Sequence, residues 1–187
     1  FNGKPHNIGV LLGQPSGWLI DIDLDHPRCV ELADQYLPAT PAVFGRPGKP
    51  RSHRIYRVTS PATTKKFKSK SAGMLVEFRS TGMQTVFPPS VHESGELIEW
   101  ETPGAEPREV DPDELLEAVT RLADAVKVEI GEKAPTASKS PRPRANLAPP
   151  TSAAPAPASV PASERNVLCL AALGRIGIVD QRDGSHR

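Results

Sequence analysis

An alternation of aspartates with aliphatic residues constrains the fold of this chain more than any other feature of its sequence. Segment 18–25 reads Trp-Leu-Ile-Asp-Ile-Asp-Leu-Asp. Successive side chains of a β-strand point to opposite faces of the sheet, so a strand here places Asp21, Asp23 and Asp25 on one face. Two carboxylates about 4 Å apart repel each other by about 4 kcal/mol at an effective dielectric of about 20. The segment therefore predicts either a solvated edge strand or a strand that holds a hard divalent cation, with Asp25 also able to serve the following turn.

His53 lies in a basic segment that is predicted to form a strand, Ser52–Val58. Arg51, Arg54 and Arg57 flank it, and guanidinium and imidazole N–H groups suit phosphate oxygens. A single histidine in a strand is more often structural than functional. Two interpretations of His53 therefore stay open at this point, a phosphate contact and a structural role.

Glu77 lies in a predicted apolar strand, Met74–Arg79, where an acid is costly unless it is paired or bound to a metal. Its partner on the same strand face is Arg79, which would make an ordinary surface ion pair. The alternative is that Glu77 joins Asp21 and Asp23 as a third metal ligand. Sites that stabilise both the attacking and the leaving oxygen with two metal ions need about this many carboxylates.

A proline-rich segment divides the chain. Residues 134–163 contain eight of the 21 prolines, nine alanines and no acid, a composition typical of a disordered linker. We therefore predict a compact domain at residues 1–133, a linker at 134–163 and the beginning of a helical module at 164–187. The chain begins with Phe1 rather than Met, which we interpret as an internal fragment or a processed form.

Charge is distributed in blocks, although the net charge is only +1. Residues 35–76 carry nine Lys and Arg and no acid, whereas residues 77–133 carry fourteen acids and five bases. A block of one sign can focus a positive field on one face, which predicts a surface that binds a polyanion. For Lys65–Lys70 taken alone, a solvated loop is the alternative.

Apolar runs and turn residues predict a domain in which strands dominate. The predicted strands are Ile8–Leu12, Trp18–Leu24, Ala42–Phe44, Ser52–Val58, Met74–Arg79, Gln84–Phe87 and Leu97–Glu101. Pro27 begins a predicted helix that runs to Tyr36, and Asp111 caps a second helix whose apolar face extends to Val126. This order indicates the α+β class rather than a regular βαβ repeat.

Several classes of protein are excluded by what the sequence lacks. No apolar run approaches the roughly 18 residues of a membrane span, so no membrane partner is expected. The two cysteines, Cys29 and Cys169, lie far apart in sequence, which favours a cytoplasmic location over a disulfide framework. The sequence has no P-loop motif, no Cys-x-x-Cys pair and no Gly-x-Ser-x-Gly elbow, which leaves metal-dependent phosphoryl chemistry.

An ordered set of motifs resembles a known family. Residues 7–10 read Asn-Ile-Gly-Val, and Gly13, Gly17, the Asp-x-Asp pair and the histidine strand follow them. Residues 88–95 read Pro-Pro-Ser-Val-His-Glu-Ser-Gly, with Trp100 after them. Over residues 7–101 this set is similar to the bifunctional primase/polymerase domain of the archaeo-eukaryotic primase superfamily, which is common in replication proteins of phages and plasmids.

The resemblance implies a fold, an activity and a catalytic set. The fold is α+β, with a mixed or antiparallel sheet, flanking helices and an RRM-like catalytic core, truncated here at its N terminus relative to the family. The activity is template-dependent nucleotidyl transfer by a DNA primase or polymerase, acting on a DNA template or primer with NTPs or dNTPs. Asp21, Asp23 and Glu77 would bind two Mg²⁺ or Mn²⁺ ions, and His53 would complete the catalytic set. A helicase domain or subunit would follow C-terminally.

The remaining site residues are assigned to the two substrates. Nucleotide-binding residues would be Arg51, Ser52, His53, Arg54 and His92. The basic block would contact DNA through Arg46, Lys49, Arg57, Lys65, Lys66, Lys68 and Lys70. Arg51 stands where the family often has a small residue, and Glu77 replaces the more frequent Asp. For His92 the alternative is a structural role in a predicted hairpin, whose turn is residues 93–96 and whose return strand is Leu97–Glu101. Two other functions stay open, a metal-dependent nuclease and a non-catalytic module that binds DNA or nucleotides.

Overall fold

The computed structural model describes residues 6–132 and 178–179, and within these ranges the chain has the α+β fold expected from the sequence. The helices are α1 (Pro27–Tyr36) and α2 (Pro112–Glu129), and a 3₁₀ turn covers Gln14–Ser16. The strands are β1 (Ile8–Leu11), β2 (Leu19–Leu24), β3 (Val43–Arg46), β4 (Lys49–Val58), β5 (Lys65–Ser69), β6 (Gly73–Arg79), β7 (Gln84–Phe87), β8 (Ser90–Val91), β9 (Leu97–Trp100), β10 (Arg108–Val110) and β11 (Ile178–Val179). The predicted linker and the predicted helical module lie outside the described residues, apart from β11, which pairs antiparallel with β1.

The large sheet has the strand order β5-β6-β2-β4-β3-β9-β8, and β10 pairs with β4 as its parallel member. The other neighbours in this order run antiparallel. β2 therefore lies between β4 and β6, with hydrogen-bonded neighbours on both sides. The alternative of a solvated edge strand for the aspartate segment is wrong, because that segment is central in the sheet.

Both helices cover one face of this sheet. Ile20, Ile22 and Leu24 of β2 point to that face and are fully buried in a core shared with α1 and α2. The helices begin where the sequence predicts. The His26 imidazole accepts a hydrogen bond from Arg28 N at 3.2 Å, and the Asp111 carboxylate caps the other helix by accepting from Asp113 N and Glu114 N. Each cap satisfies backbone donors that have no partner within the helix.

The opposite face of the sheet is covered along part of its length. β1 and β7 pair antiparallel and form a second layer over it. A second core lies between this layer and the large sheet. Its buried members are Val10, Leu12, Leu19, Ala42, Phe44, Ile55, Phe87 and Ile98. The face of β2 that carries the aspartates is therefore partly covered by β1 and β7. Leu19, on that face at the start of the strand, is fully buried.

Four of the described strands were not predicted from the sequence: β5, β8, β10 and β11, the last of which lies in the segment predicted to begin a helical module. β5 lies in the lysine-rich segment for which a solvated loop was the alternative, and it forms an edge strand because Phe67 packs against the helix-side core. Lysines on an edge strand are typical of natural sheets, since they disfavour edge-to-edge association. β8 and β10 have only two and three residues, too short to produce a clear alternation pattern.

Gly13 provides a test of how the loop before β2 is packed. Gly13 has φ +75°, and a Cβ there would lie 2.3 Å from the backbone nitrogen of Thr81. Gly73 has the same φ, but no described atom lies within 4 Å of its Cβ position. Both alanine substitutions carry the cost of a positive φ, about 1–3 kcal/mol, and only Gly13→Ala adds overpacking, about 1–3 kcal/mol.

We expect Gly13→Ala to lower the free energy of unfolding by about 2 kcal/mol more than Gly73→Ala. Urea unfolding followed by circular dichroism measures both changes. Equal losses for the two variants would show that the contact between Gly13 and Thr81 does not constrain the loop.

Candidate active site

The register of β2 brings three separate sequence segments to one point. Asp23 lies opposite His53 of β4 on one side and opposite Glu77 of β6 on the other. Directly opposed residues in a sheet project to the same face, here the face away from the helices. The sequence predicts these three residues as a set, and pairing between neighbouring strands places them together.

Three carboxylates form a cluster on this face. Asp23, Asp25 and Glu77 each present an oxygen within 4.8 Å of the other two. Asp23 Oδ1 is buried and has no hydrogen-bond partner among the described residues. Burial raises the pKa of Asp23, and the charges of Asp21 and Asp25 raise it further, against the opposing charges of His53 and Lys49. A bound cation would relieve this strain, and carboxylate oxygens are the ligands that Mg²⁺ and Mn²⁺ prefer.

Asp21 has a different environment from the one expected. Its side chain is fully buried, Thr85 Oγ1 donates to Oδ2 at 2.7 Å, and His53 Nδ1 lies 3.0 Å from the same oxygen. Burial by itself would raise the pKa of Asp21, but the charge and hydrogen bond of His53, with Arg79 and Thr85, lower it. Within the described part of the chain Asp21 is not a member of the three-carboxylate cluster, and Asp25, expected to serve the turn, takes its place there.

His53 is held in one orientation from two directions. Burial lowers the pKa of its imidazole, but the charge and hydrogen bond of Asp21 raise it overall, and His53 Nδ1 lies 3.0 Å from Asp21 Oδ2. On the other side the ring stacks on Phe44, with centroids 4.6 Å apart and an interplanar angle of 15°. Phe44 in turn packs edge-on against Trp100, with centroids 4.9 Å apart. Because Asp21 engages Nδ1, Nε2 is the nitrogen left for a ligand.

A cavity of about 200 Å³ adjoins the carboxylate cluster. Its lining residues are Asp23, Gly45, Arg46, Lys49, Ser52, His53, His92 and Ile98. Four of these carry basic nitrogen groups, and Asp23 is shared with the cluster. The cavity therefore combines donors for an anion with the edge of a cation site.

Arg46 and Lys49 were predicted to contact DNA, but the structure places them in this cavity. Arg46 is held by an ion pair with Glu96 from the turn before β9. His92 also lines the cavity, and its Nδ1 is 2.9 Å from Ser94 Oγ in the turn between β8 and β9. The hairpin of β8 and β9 therefore supplies part of the cavity wall, and a nucleotide contact by His92 stays a prediction.

Two arginines predicted to bind the nucleotide lie elsewhere. Arg54 is adjacent to His53 in the strand, so it points to the opposite face, where it is 2% exposed and its Nη1 donates to Asp34 Oδ1 at 2.6 Å. Arg51 has φ +53°, which interrupts the alternation of the strand, and it pairs with Asp34 and Glu101. The structure does not bring either guanidinium to the cavity: both pair with Asp34 of α1, and Arg51 also pairs with Glu101 just after β9.

Arg79 is a member of the site that the sequence analysis considered only as a partner of Glu77. Its Nη1 lies 3.4 Å from Asp23 Oδ2 and 3.6 Å from Asp21 Oδ2, and its Nε lies 3.6 Å from Glu77 Oε2. Arg79 also donates to the carbonyl of Gln84 at 2.7 Å, which fixes the guanidinium. The signal in the sequence was its position two residues after Glu77, which places both on one strand face.

The other predicted DNA-binding residues are divided between two places. Lys65, Lys66 and Lys68 lie on the edge strand β5, with Lys70 just after it. Arg57 donates to the carbonyls of Ser16 and Gly17. It therefore holds the 3₁₀ turn beside β2, whereas the lysines of β5 line the edge of the sheet nearest Glu77.

A carboxylate cluster beside a basic cavity is an arrangement suited to proteins that act on phosphate esters with divalent cations. A family model described as bifunctional DNA primase/polymerase, N-terminal, matches residues 2–115, more than half of the chain. The chain belongs to this family, as its motifs predicted. Membership supports a function of the primase/polymerase type, with DNA and nucleotides as substrates and a general dependence on metal ions. Comparisons with curated proteins and with solved structures gave no match.

Neither helix of residues 6–132 is long and apolar enough to cross a membrane.

Substitutions of Thr85 test whether its hydrogen bond to the buried Asp21 carboxylate stabilises the domain. Thr85→Val keeps the shape of the side chain but removes the donor, which leaves a buried carboxylate oxygen with fewer partners. We expect the free energy of unfolding to fall by about 1–3 kcal/mol, whereas Thr85→Ser, which keeps the hydroxyl, costs less. Thermal unfolding measures both variants, and a Val variant as stable as the Ser variant would contradict this assignment.

Proposed function

We propose that this domain catalyses template-dependent nucleotidyl transfer, as a DNA primase or DNA polymerase that uses NTPs or dNTPs. The observation that carries the proposal is the sharing of Asp23 between the carboxylate cluster and the basic cavity. A cation held by the cluster would thereby lie beside a phosphate chain held in the cavity. Family membership supports the same class of reaction.

The carboxylates on this face fit a site for Mg²⁺ or Mn²⁺. Asp23, Asp25 and Glu77 would hold an ion directly, and Asp21 brings a fourth carboxylate to the same face, enough acids for the two ions that the family resemblance implies. When bound, two such ions lower the pKa of the attacking 3′-hydroxyl and stabilise the leaving pyrophosphate. Among the described residues, Asp23 Oδ1 is a buried carboxylate oxygen without a hydrogen-bond partner, which suits it to bind a cation.

The chain's own residues would bind and orient the triphosphate. The contact between Asp21 and His53 Nδ1 and the stacking on Phe44 would orient the imidazole so that Nε2 can donate to a phosphate oxygen. Arg46 and His92 face the same cavity and add donors. These groups are fixed before any ligand binds, so little ordering entropy is lost when the nucleotide enters.

The edge strand β5 would contact the DNA backbone. Its lysines are exposed and lie beside β6, the strand that carries Glu77. An edge strand with a row of ammonium groups attracts phosphates without reading sequence. The template or primer would then follow the sheet edge toward the carboxylate cluster.

Asp23→Asn tests the catalytic assignment. Primer extension and de novo priming are measured with Mn²⁺ for the wild-type chain, Asp23→Asn and Asp113→Asn, the last a matched change at an exposed position in the first turn of α2. We expect Asp23→Asn to lose activity by about 10²-fold or more, because one carboxylate of the cluster is neutralised. Asp113→Asn should keep wild-type activity. Equal activity of Asp23→Asn and the wild type would reject the proposal.

Two further experiments distinguish the proposed function from its two alternatives. A metal-dependent nuclease would shorten labelled DNA with Mn²⁺ in the absence of nucleotides, and we expect the DNA to keep its length. A non-catalytic binding module would bind nucleotides equally well with and without Mn²⁺, and we expect Mn²⁺ to strengthen binding. Shortened DNA or metal-independent nucleotide binding would favour the respective alternative.

Salt dependence tests the proposed DNA-binding strand. A triple variant with Lys65→Ala, Lys68→Ala and Lys70→Ala lacks three positive charges. For binding of single-stranded DNA, the slope of log K against the logarithm of the salt concentration should become less steep by about 2. Arg121→Ala, which removes an exposed charge of α2, serves as the control. A slope unchanged from the wild type would show that the DNA lies elsewhere.

A further inference from the structure

Lys49 belongs to both halves of the candidate site. Its Nζ lies 3.1 Å from Asp25 Oδ1 and 3.6 Å from Asp23 Oδ1. The second of these oxygens is the buried one without a hydrogen-bond partner in the described structure. The side chain of Lys49 also lines the basic cavity and is 28% exposed. The ammonium group is thus bound to the carboxylates on one side and borders the proposed phosphate cavity on the other.

A second lysine, Lys66, forms an ion pair with Glu77, the third carboxylate of the cluster. Lys66 Nζ lies 2.9 Å from Glu77 Oε1. Lys66 is not one of the described residues that line the cavity. Two ammonium groups therefore balance the charge of Asp23, Asp25 and Glu77 together with Arg79, and of the two lysines only Lys49 lines the cavity.

A divalent cation bound by these carboxylates would compete with both ammonium groups. It needs the same oxygens, and at distances of about 3–4 Å it would repel a lysine by several kcal/mol at an effective dielectric of about 20. The ammonium groups must then move to other anions. For Lys49 the adjoining cavity offers such a position when a nucleotide is present.

We propose that Lys49 and Lys66 are counter-ions that a divalent cation displaces from the carboxylate cluster, and that the displaced Lys49 then binds the phosphates of the nucleotide in the cavity. The proposal rests on the proposed function, because it takes the cluster as the cation site and the cavity as the phosphate site. It assigns Lys49 to the nucleotide instead of the DNA. It also makes metal binding a step that prepares the cavity for its ligand.

Three methionine substitutions separate the two roles. Mn²⁺ affinity is measured by electron paramagnetic resonance, and affinities for ATP and dATP at saturating Mn²⁺ by calorimetry, on the whole 187-residue chain. Lys49→Met should bind Mn²⁺ about three- to tenfold more tightly, since it removes the competitor, and should bind nucleotide about tenfold or more weakly. Lys66→Met should tighten Mn²⁺ similarly but leave nucleotide affinity within about twofold.

The control variant is Lys127→Met, which removes a lysine from a pair with Asp124 that is also 3.1 Å long but lies on α2. Neither affinity should change in it. Lys49→Arg keeps the charge and should stay near the wild type in both measurements. Changes of opposite sign for metal and nucleotide are not expected from general destabilisation, which weakens both.

The proposal is overturned if Lys49→Met binds Mn²⁺ no more tightly than the wild type, or if its nucleotide affinity is unchanged. Asp23→Asn distinguishes this failure from a failure of the proposed function. If Asp23→Asn retains wild-type Mn²⁺ affinity, the cluster is not the cation site and both proposals fail. If Asp23→Asn loses Mn²⁺ while Lys49→Met behaves as the wild type, only the exchange of Lys49 is rejected.

Discussion

Charge balance around the central strand β2 is the constraint on which the rest of the site depends. Four carboxylates meet on or beside one face of this strand, on Asp21, Asp23, Asp25 and Glu77. Buried like charges are tolerated only when they are compensated. Four cationic groups perform that compensation in the structure, those of His53, Arg79, Lys49 and Lys66. The groups differ in how firmly they are held, and this difference gives the site two parts.

The inner part is rigid. Asp21 is fully buried and contacts both Thr85 and His53, and the His53 ring stacks on Phe44 of the second core. The outer part contains the lysines, whose long side chains reach the carboxylates from a hairpin and from an edge strand. Lysines exchange partners more readily than an imidazole stacked on an aromatic ring, because their side chains are long and flexible. A fixed phosphate contact beside exchangeable counter-ions is an arrangement suited to a metal-dependent reaction.

Family, fold class and several motif positions could be predicted from the sequence. Hydrophobic alternation identified β2, and caps and prolines identified both helices, because these signals are local. Which of the basic residues would line the cavity could not be predicted. Arg54 and His53 are neighbours in sequence, yet strand alternation sends them to opposite faces, and the positive φ of Arg51 removes that side chain as well. Arg46 and Lys49 lie opposite each other where β3 pairs with β4, and this pairing brings both to the cavity.

The sequence by itself determined which chemical groups the domain possesses: alternating aspartates, a histidine among arginines, an acid in an apolar strand, and a basic block in a chain of net charge +1. The tertiary structure decided which of them meet. Pairing of β2 with β4 and β6 set Asp23 between His53 and Glu77, and the β1–β7 layer buried Asp21 while leaving Asp23 and Asp25 at the rim. The physical reason is that alternation fixes the face of a side chain, whereas its partners, burial and pKa depend on strand register and on the layers packed above it.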